Sequence, residues 1–123
     1  MINWVFKHYI NIYIYIMVEE ISKIALSYVK TGDLYMLKYL YNNNSDANDP
    51  FVFQKVFLCA CIHKKIDILI WLNEIYNSLD CINKIGLKPT IIHGKYLIKD
   101  DTFLAQYNEV FREIFTPNEI KAF

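Results

Sequence analysis

"GDLYMLKYL" (residues 32–40) and "KKIDILIWL" (residues 64–72) align residue for residue at an offset of 32. The alignment places an apolar residue opposite an apolar residue at Leu34 and Ile66, Leu37 and Leu69, and Leu40 and Leu72. Apolar residues that recur at spacings of three and four are typical of an amphipathic helix. The sequence therefore predicts one helix in each stretch, as two copies of one unit.

A second helix is predicted directly before each copy. Residues 18–30 and 51–63 carry apolar side chains at helical spacing, and Thr31, Gly32 and Asp33 form a break in which Asp33 is a good N-cap. Pro50 ends the polar stretch "NNNSDANDP" (residues 42–50), whose composition is that of a loop. Residues 19–77 are thus expected to form two helical hairpins.

The repeated unit resembles the ankyrin-repeat family, in particular the degenerate repeats found in large DNA viruses. In "VFLCACIHKKIDILIWL" (residues 56–72), Phe57 matches the aromatic position and Ala60 with Cys61 matches the small pair. A helical hairpin that recurs about every 33 residues is the ankyrin period. The resemblance covers roughly half the chain and implies a short helical-hairpin solenoid of two repeats that binds protein. A non-repeat α-helical bundle is the alternative.

The chain departs from the ankyrin pattern at two points. Lys64 stands where the turn glycine is expected, so the lysine would have to adopt a backbone conformation that glycine accepts more easily. In the first copy, Tyr28 and Val29 replace the small pair.

Residues 1–18 are predicted to form an apolar N-terminal cap. The uncharged stretch at residues 9–18 is shorter than the ~20 residues that span a bilayer, which argues against membrane insertion. Its alternation of tyrosine and isoleucine also fits a β-strand. A buried helical cap is favoured because no comparable second strand lies nearby.

Residues 78–123 are predicted to be an irregular segment followed by a C-terminal helix. Gly86, Pro89 and Gly94 interrupt the first part, whereas Asp101 or Thr102 begins a helix that runs to Phe115. The fold class expected for residues 1–123 is therefore a single, mainly all-α domain.

Composition narrows the classes of partner and compartment. Lys and Arg total 13, as do Asp and Glu, so there is no net positive charge to attract nucleic acid. Three cysteines cannot all pair, which favours a reducing, intracellular compartment: the cytoplasm, or the host cytoplasm for a viral protein.

The stretch "LCACIHKK" (residues 58–65) is the best candidate for a metal-binding or catalytic site, but the spacing of its residues argues against an enzyme. Helical residues two apart point about 200° from each other, so Cys59, Cys61 and His63 cannot converge on one ion. Cys61 is better explained as a small core residue. Neither a metal site nor a cofactor motif is predicted, and the protein is expected to be non-enzymatic.

The expected function is protein–protein interaction, as a viral protein that engages a host or viral partner. The ankyrin resemblance assigns partner contacts to the residues that follow the small pair: Lys30, Thr31, Ile62 and His63. The alternative is a structural subunit of a homo-oligomer or viral particle, assembled through an apolar surface of the N-terminal stretch that contains Tyr9, Ile12, Ile14 and Ile16.

Overall fold

The computed structural model describes the backbone of residues 2–43 and 50–114. Near the N-terminus it describes the side chains of residues 5, 7–10 and 12, and it then describes those of residues 20–43 and 53–114. The stretches 44–49 and 115–123 lie outside the described residues.

Six α-helices and no β-strand lie within residues 2–43 and 50–114, so the fold is all-α as predicted. In chain order the helices are α1 (Ile2–Thr31), α2 (Leu34–Asn43), α3 (Pro50–Ile62), α4 (Ile66–Ser78), α5 (Cys81–Leu97) and α6 (Asp101–Val110).

The 32-residue offset is present in the backbone of the first two interhelical turns. The amide of Asp33 donates to the carbonyl of Tyr28, and the amide of Lys65 donates to that of Ala60. Gly32 has a φ of 75° and Lys64 a φ of 55°. Both turns are thus Schellman motifs with a left-handed residue one place before the hydrogen-bonded amide. Lys64 thus adopts the left-handed backbone conformation that a turn glycine would have at this position.

The helices pack as three consecutive hairpins. α1 contacts α2, and α3 contacts α4. The hydroxyl of Tyr107 in α6 donates to the carbonyl of Ile91 in α5, which joins the two helices on either side of the third turn. Between hairpins, α3 contacts both α1 and α5, while α4 contacts α6. The first helices of the hairpins therefore lie side by side in the order α1, α3, α5.

An aromatic cluster holds the second and third hairpins together. Phe57 of α3 lies with its ring centroid 5.4 Å from that of Phe111 and 6.2 Å from that of Tyr107. The Tyr107 and Phe111 centroids are 4.7 Å apart, and all three side chains are fully buried. Buried aromatic pairs at these distances contribute about 0.5–1.5 kcal/mol beyond the area that they bury.

The prediction of an irregular segment at residues 78–100 is wrong, because α5 occupies most of it. Asp80 caps the helix by accepting from the amide of Asn83 at 2.9 Å. Pro89 has no backbone N–H and so leaves one helix carbonyl unpaired, but Pro89 is exposed and water can bind that carbonyl. Burial of Leu87 and Ile91 stabilises the helix by more than the proline costs.

The N-terminal stretch is helical, as predicted over the β-strand alternative, but the prediction of a buried cap is wrong. Residues 2–18 are neither a strand nor a separate cap, because they continue without a break into the first hairpin as α1. The described side chains here are exposed, among them Val5, Tyr9 and Ile12, so they do not bury an apolar cap surface. Within the described residues, no helix combines the length and apolar character needed to cross a membrane.

The C-terminal helix is confirmed but differs at both ends. Asp100, rather than Asp101 or Thr102, is the N-cap of α6, since its carboxylate accepts from the amide of Phe103 at 3.0 Å. The helix ends at Val110 and is followed by turn residues 111–114. The predicted end at Phe115 lies outside the described residues.

Candidate functional site

The first helices of the three hairpins bury the same helical positions. α3 buries Phe53, Val56, Phe57, Ala60 and Cys61. The same spacing recurs 34 residues later in α5, which buries Leu87, Thr90, Ile91, Gly94 and Lys95. In α1, three of the equivalent positions, 32 residues before those of α3, are buried: Ile21, Ala25 and Val29. The register therefore identifies which exposed residues of the three helices are equivalent.

An outward-facing surface lies opposite these buried stripes, and we call it the front face. It consists of equivalent triplets on successive helices: Lys23, Leu26 and Lys30 on α1; Lys55, Leu58 and Ile62 on α3; Pro89, Ile92 and Tyr96 on α5. Ile62 is 58% exposed and Tyr96 is 65% exposed. Leu58 and Ile92 are half-buried against the core beside them. The front face therefore has an apolar centre on α3 and α5 and a basic flank on α1.

The three interhelical turns adjoin one another at one end of the front face, and we call this end the turn edge (residues 30–33, 62–65 and 96–100). A Cβ atom placed on Gly32 would lie 3.5 Å from Nζ of Lys65, which brings the first two turns together. Nζ of Lys64 lies 3.3 Å from Oδ2 of Asp100, which brings the second and third together. The amide of Phe103 and the ammonium of Lys64 hold the pKa of the Asp100 carboxyl below its usual range.

The predicted contact residues all lie at the junction of the front face and the turn edge. Lys30, Thr31, Ile62 and His63 are exposed at the C-terminal ends of α1 and α3. These helices contact each other, so the structure brings the four residues to one end of the molecule. Ile62 faces outward, with 58% of its surface exposed.

The prediction from sequence missed the third row of the front face. Tyr96 and Ile92 occupy the positions equivalent to Ile62 and Leu58, but the segment that contains them was expected to be irregular. Helical spacing of Leu87, Ile91 and Gly94 between two capping aspartates was the signal that could have identified α5.

The two cysteines of α3 are placed as helical geometry predicts. Cys61 is 1% exposed and lies in the core, where burial raises the pKa of its thiol to about 12. Its role as a small buried residue is confirmed. Burial also raises the pKa of the half-buried Cys59 thiol, and the charge of Lys30 opposes that shift. High thiol pKa values leave little nucleophilic thiolate near neutral pH.

Metal ligands do not gather in the part of the chain that the structure describes. No group of three or more His, Cys, Asp or Glu side chains there could hold an ion. The apolar cavity between the first two hairpins, lined by Leu37, Trp71 and Ile75 among others, has a volume of about 20 Å³. A space of this size holds about one water molecule, so it is not a ligand pocket.

No protein-family model matches the chain, and no curated protein or solved structure matches it. Support for a function therefore comes from the chain's own surface. Among the described residues, the front face and turn edge combine exposed apolar side chains, basic side chains and a rigid helical support.

Proposed function

We propose that this protein is a non-enzymatic protein-binding module whose contact surface is the front face. The observation that carries the proposal is the exposure of Ile62 and Tyr96 at equivalent positions on two helices that pack against each other. Large apolar side chains held on a rigid support lose little conformational entropy on binding, and aromatic residues are enriched among the anchors of protein interfaces.

The proposal includes the ankyrin-like character of the chain and its role as a viral protein that engages a host or viral partner. It is supported by the hydrogen-bond pattern shared by the turns at Gly32 and Lys64 and by the side-by-side order of α1, α3 and α5. Stacked hairpins present a continuous surface to a partner because each unit contributes the same helical positions.

A selection from a random-peptide phage library, with the full chain as bait, tests the proposal. We expect peptides that bind the protein and lose about tenfold in affinity on Ile62→Ser, since an apolar anchor is worth roughly 1–2 kcal/mol. Ile70→Ser on α4 is the matched control, because Ile70 is 44% exposed but lies off the front face. Equal losses for the two variants, or an absence of binding peptides, would contradict the proposal.

A second candidate function is homo-oligomeric assembly through the N-terminal half of α1. Val5, Tyr9 and Ile12 are 56%, 75% and 48% exposed, and their spacing of four and three places them on one side of the helix. Such an exposed apolar stripe is typical of a helix that pairs with another helix. Ile14 and Ile16, the other residues predicted for this surface, lie outside the described side chains.

Light scattering after size-exclusion chromatography tests the assembly. If α1 mediates it, the wild-type mass exceeds that of one chain and the double variant Tyr9→Lys/Ile12→Lys returns to that of one chain. Ile82→Lys is the control, because Ile82 is 82% exposed on α5. A wild-type mass of one chain at all concentrations would exclude this candidate without affecting the first.

A further inference from the structure

Charge is divided between the two kinds of helix, although the whole chain has no net charge. From residue 19 onward, the first helices with their N-caps and the turn residues that follow them (residues 19–31, 53–65 and 80–99) contain three acidic residues, Glu19, Glu20 and Asp80. They contain these lysines: Lys23, Lys30, Lys55, Lys64, Lys65, Lys84, Lys88, Lys95 and Lys99.

The second helices have the opposite composition. Residues 33–43, 66–78 and 100–114 contain two basic side chains, Lys38 and Arg112. Their acidic residues are Asp33, Asp67, Glu74, Asp100, Asp101, Glu109 and Glu113. Because the first helices lie side by side, the separation along the chain becomes a separation in space. One side of the described structure is basic and the other acidic.

The basic side coincides with the apolar centre of the front face. Lys30 is exposed in the same helical position as Ile62 and Tyr96, and its charge reaches Cys59 on the neighbouring helix. Lys64 and Lys99 are exposed along the turn edge beside Ile62 and Tyr96. Of these cations, Lys64 is partly offset by Asp100, with which it pairs at 3.3 Å.

We propose that the front face binds an acidic peptide segment that also carries apolar side chains. This inference rests on the proposed function and specifies the chemistry of the partner. The apolar side chains of the segment would pack on Ile62, Tyr96 and the half-buried Leu58 and Ile92, while its carboxylates face Lys30 and the lysines of the turn edge. Complementary charge speeds encounter and fixes the orientation of the partner.

The apolar centre favours a peptide over nucleic acid. A phosphate backbone requires a continuous track of cations, whereas the front face places isoleucine and leucine between its lysines. Single-stranded nucleic acid also needs aromatic platforms for its bases, and among the described front-face residues Tyr96 alone is aromatic. An amphipathic acidic peptide satisfies both the charge and the apolar surface.

The phage selection described above distinguishes this inference from the proposed function when the bound peptides are sequenced. We expect enrichment of Asp and Glu together with Leu, Ile, Phe or Trp. For the best synthetic peptide, fluorescence anisotropy should show a loss of roughly fivefold in affinity for each of Lys30→Glu and Lys99→Glu. Lys38→Glu on α2 is the matched control, and raising the salt concentration should reduce the losses by screening. Thermal unfolding verifies that each variant is folded.

Three results would overturn the inference. Selected peptides that lose affinity on Ile62→Ser but show no acidic excess would leave the proposed function standing and reject the acidic partner. Competition by an oligo-deoxythymidine that displaces the peptide at lower concentration than an acidic peptide of equal charge would assign the face to nucleic acid. Equal effects of Lys30→Glu and Lys38→Glu would likewise reject it, because whole-molecule charge would then explain the binding.

Discussion

Gly94 sets the distance between α5 and α3. A Cβ atom built there would lie 2.8 Å from Sγ of Cys61 and 2.9 Å from Cε1 of Phe57, closer than van der Waals contact allows. Both neighbours are fully buried and cannot move into solvent. The glycine, with Cys61 and Phe57 opposite, therefore permits the close approach of α5 to α3.

Substitution of the two glycines of α5 should have opposite effects. We expect Gly94→Ala to lower the free energy of unfolding by about 1–3 kcal/mol through overpacking. Gly86→Ala should raise it by roughly 0.5–1 kcal/mol, because an added Cβ there meets no atom within 4 Å and alanine favours the helix. Urea unfolding measures both, and a similar change of the same sign in the two variants would show that backbone entropy, rather than contact with α3, dominates.

Lys64 has a backbone conformation that costs energy for any residue with a Cβ. Its φ of 55° is left-handed, so Lys64→Gly should raise the free energy of unfolding by about 1 kcal/mol. Loss of the ion pair with Asp100 should lower the free energy of unfolding only slightly, since both side chains are well exposed. Lys64→Ala serves as the control, because it removes the ammonium and keeps the strain. A gain in thermal stability for the alanine variant would contradict this account.

At the scale of the element, capping explains where the helices begin. Asp33, Asp80 and Asp100 each accept a hydrogen bond from the backbone amide three residues later, at the starts of α2, α5 and α6. The N-cap of α4 is Lys65, whose side chain makes no such bond. Its position is instead fixed by the preceding Schellman turn and by burial of Ile68, Leu69 and Leu72.

The missing cap at α4 can be supplied. Lys65 has a φ of −99°, so Lys65→Asp is expected to fit without backbone strain and to add about 1 kcal/mol to the free energy of unfolding. Asp33→Ala should lower the free energy of unfolding by a similar amount, because it deletes the hydrogen bond of 3.1 Å that the Asp33 carboxylate accepts from the amide of Met36. The comparison is made by thermal unfolding at neutral pH. A loss of stability in Lys65→Asp would mean that the contact of Lys65 with the first turn matters more than the cap.

The stability of the whole protein should fall at alkaline pH because a cysteine thiol and a tyrosine hydroxyl are buried in the core in their protonated forms. Burial raises the pKa of Cys61 from 9.0 to about 12 and also raises that of Tyr107. A raised pKa in the folded state contributes stability below the unfolded pKa, and this contribution is lost as pH rises from about 9 to about 12. The urea midpoint should therefore decline above pH 9, and Cys61→Ala should flatten the decline. An identical decline in that variant would exclude Cys61 as a cause.

The hydrophobic pattern and the turn residues of the sequence determined much of the fold. The 32-residue offset predicted the α2 and α4 helices and the equivalence of the turns at Gly32 and Lys64, since helical periodicity and turn conformation depend on neighbours along the chain. The ankyrin resemblance assigned Lys30, Thr31, Ile62 and His63 to outward positions, and all four are exposed. The all-α class followed from these elements, whereas the ankyrin resemblance stays a prediction.

Tertiary contacts alone decided the rest. Gly86, Pro89 and Gly94 disfavour a helix by local propensity, yet burial of Leu87 and Ile91 against α3 and the close approach at Gly94 stabilise α5. Tyr96 consequently joined Ile62 on the front face. A net charge of zero also gave no sign of the basic front face, because net charge sums over the chain, whereas a partner meets only the side chains that packing places on one surface.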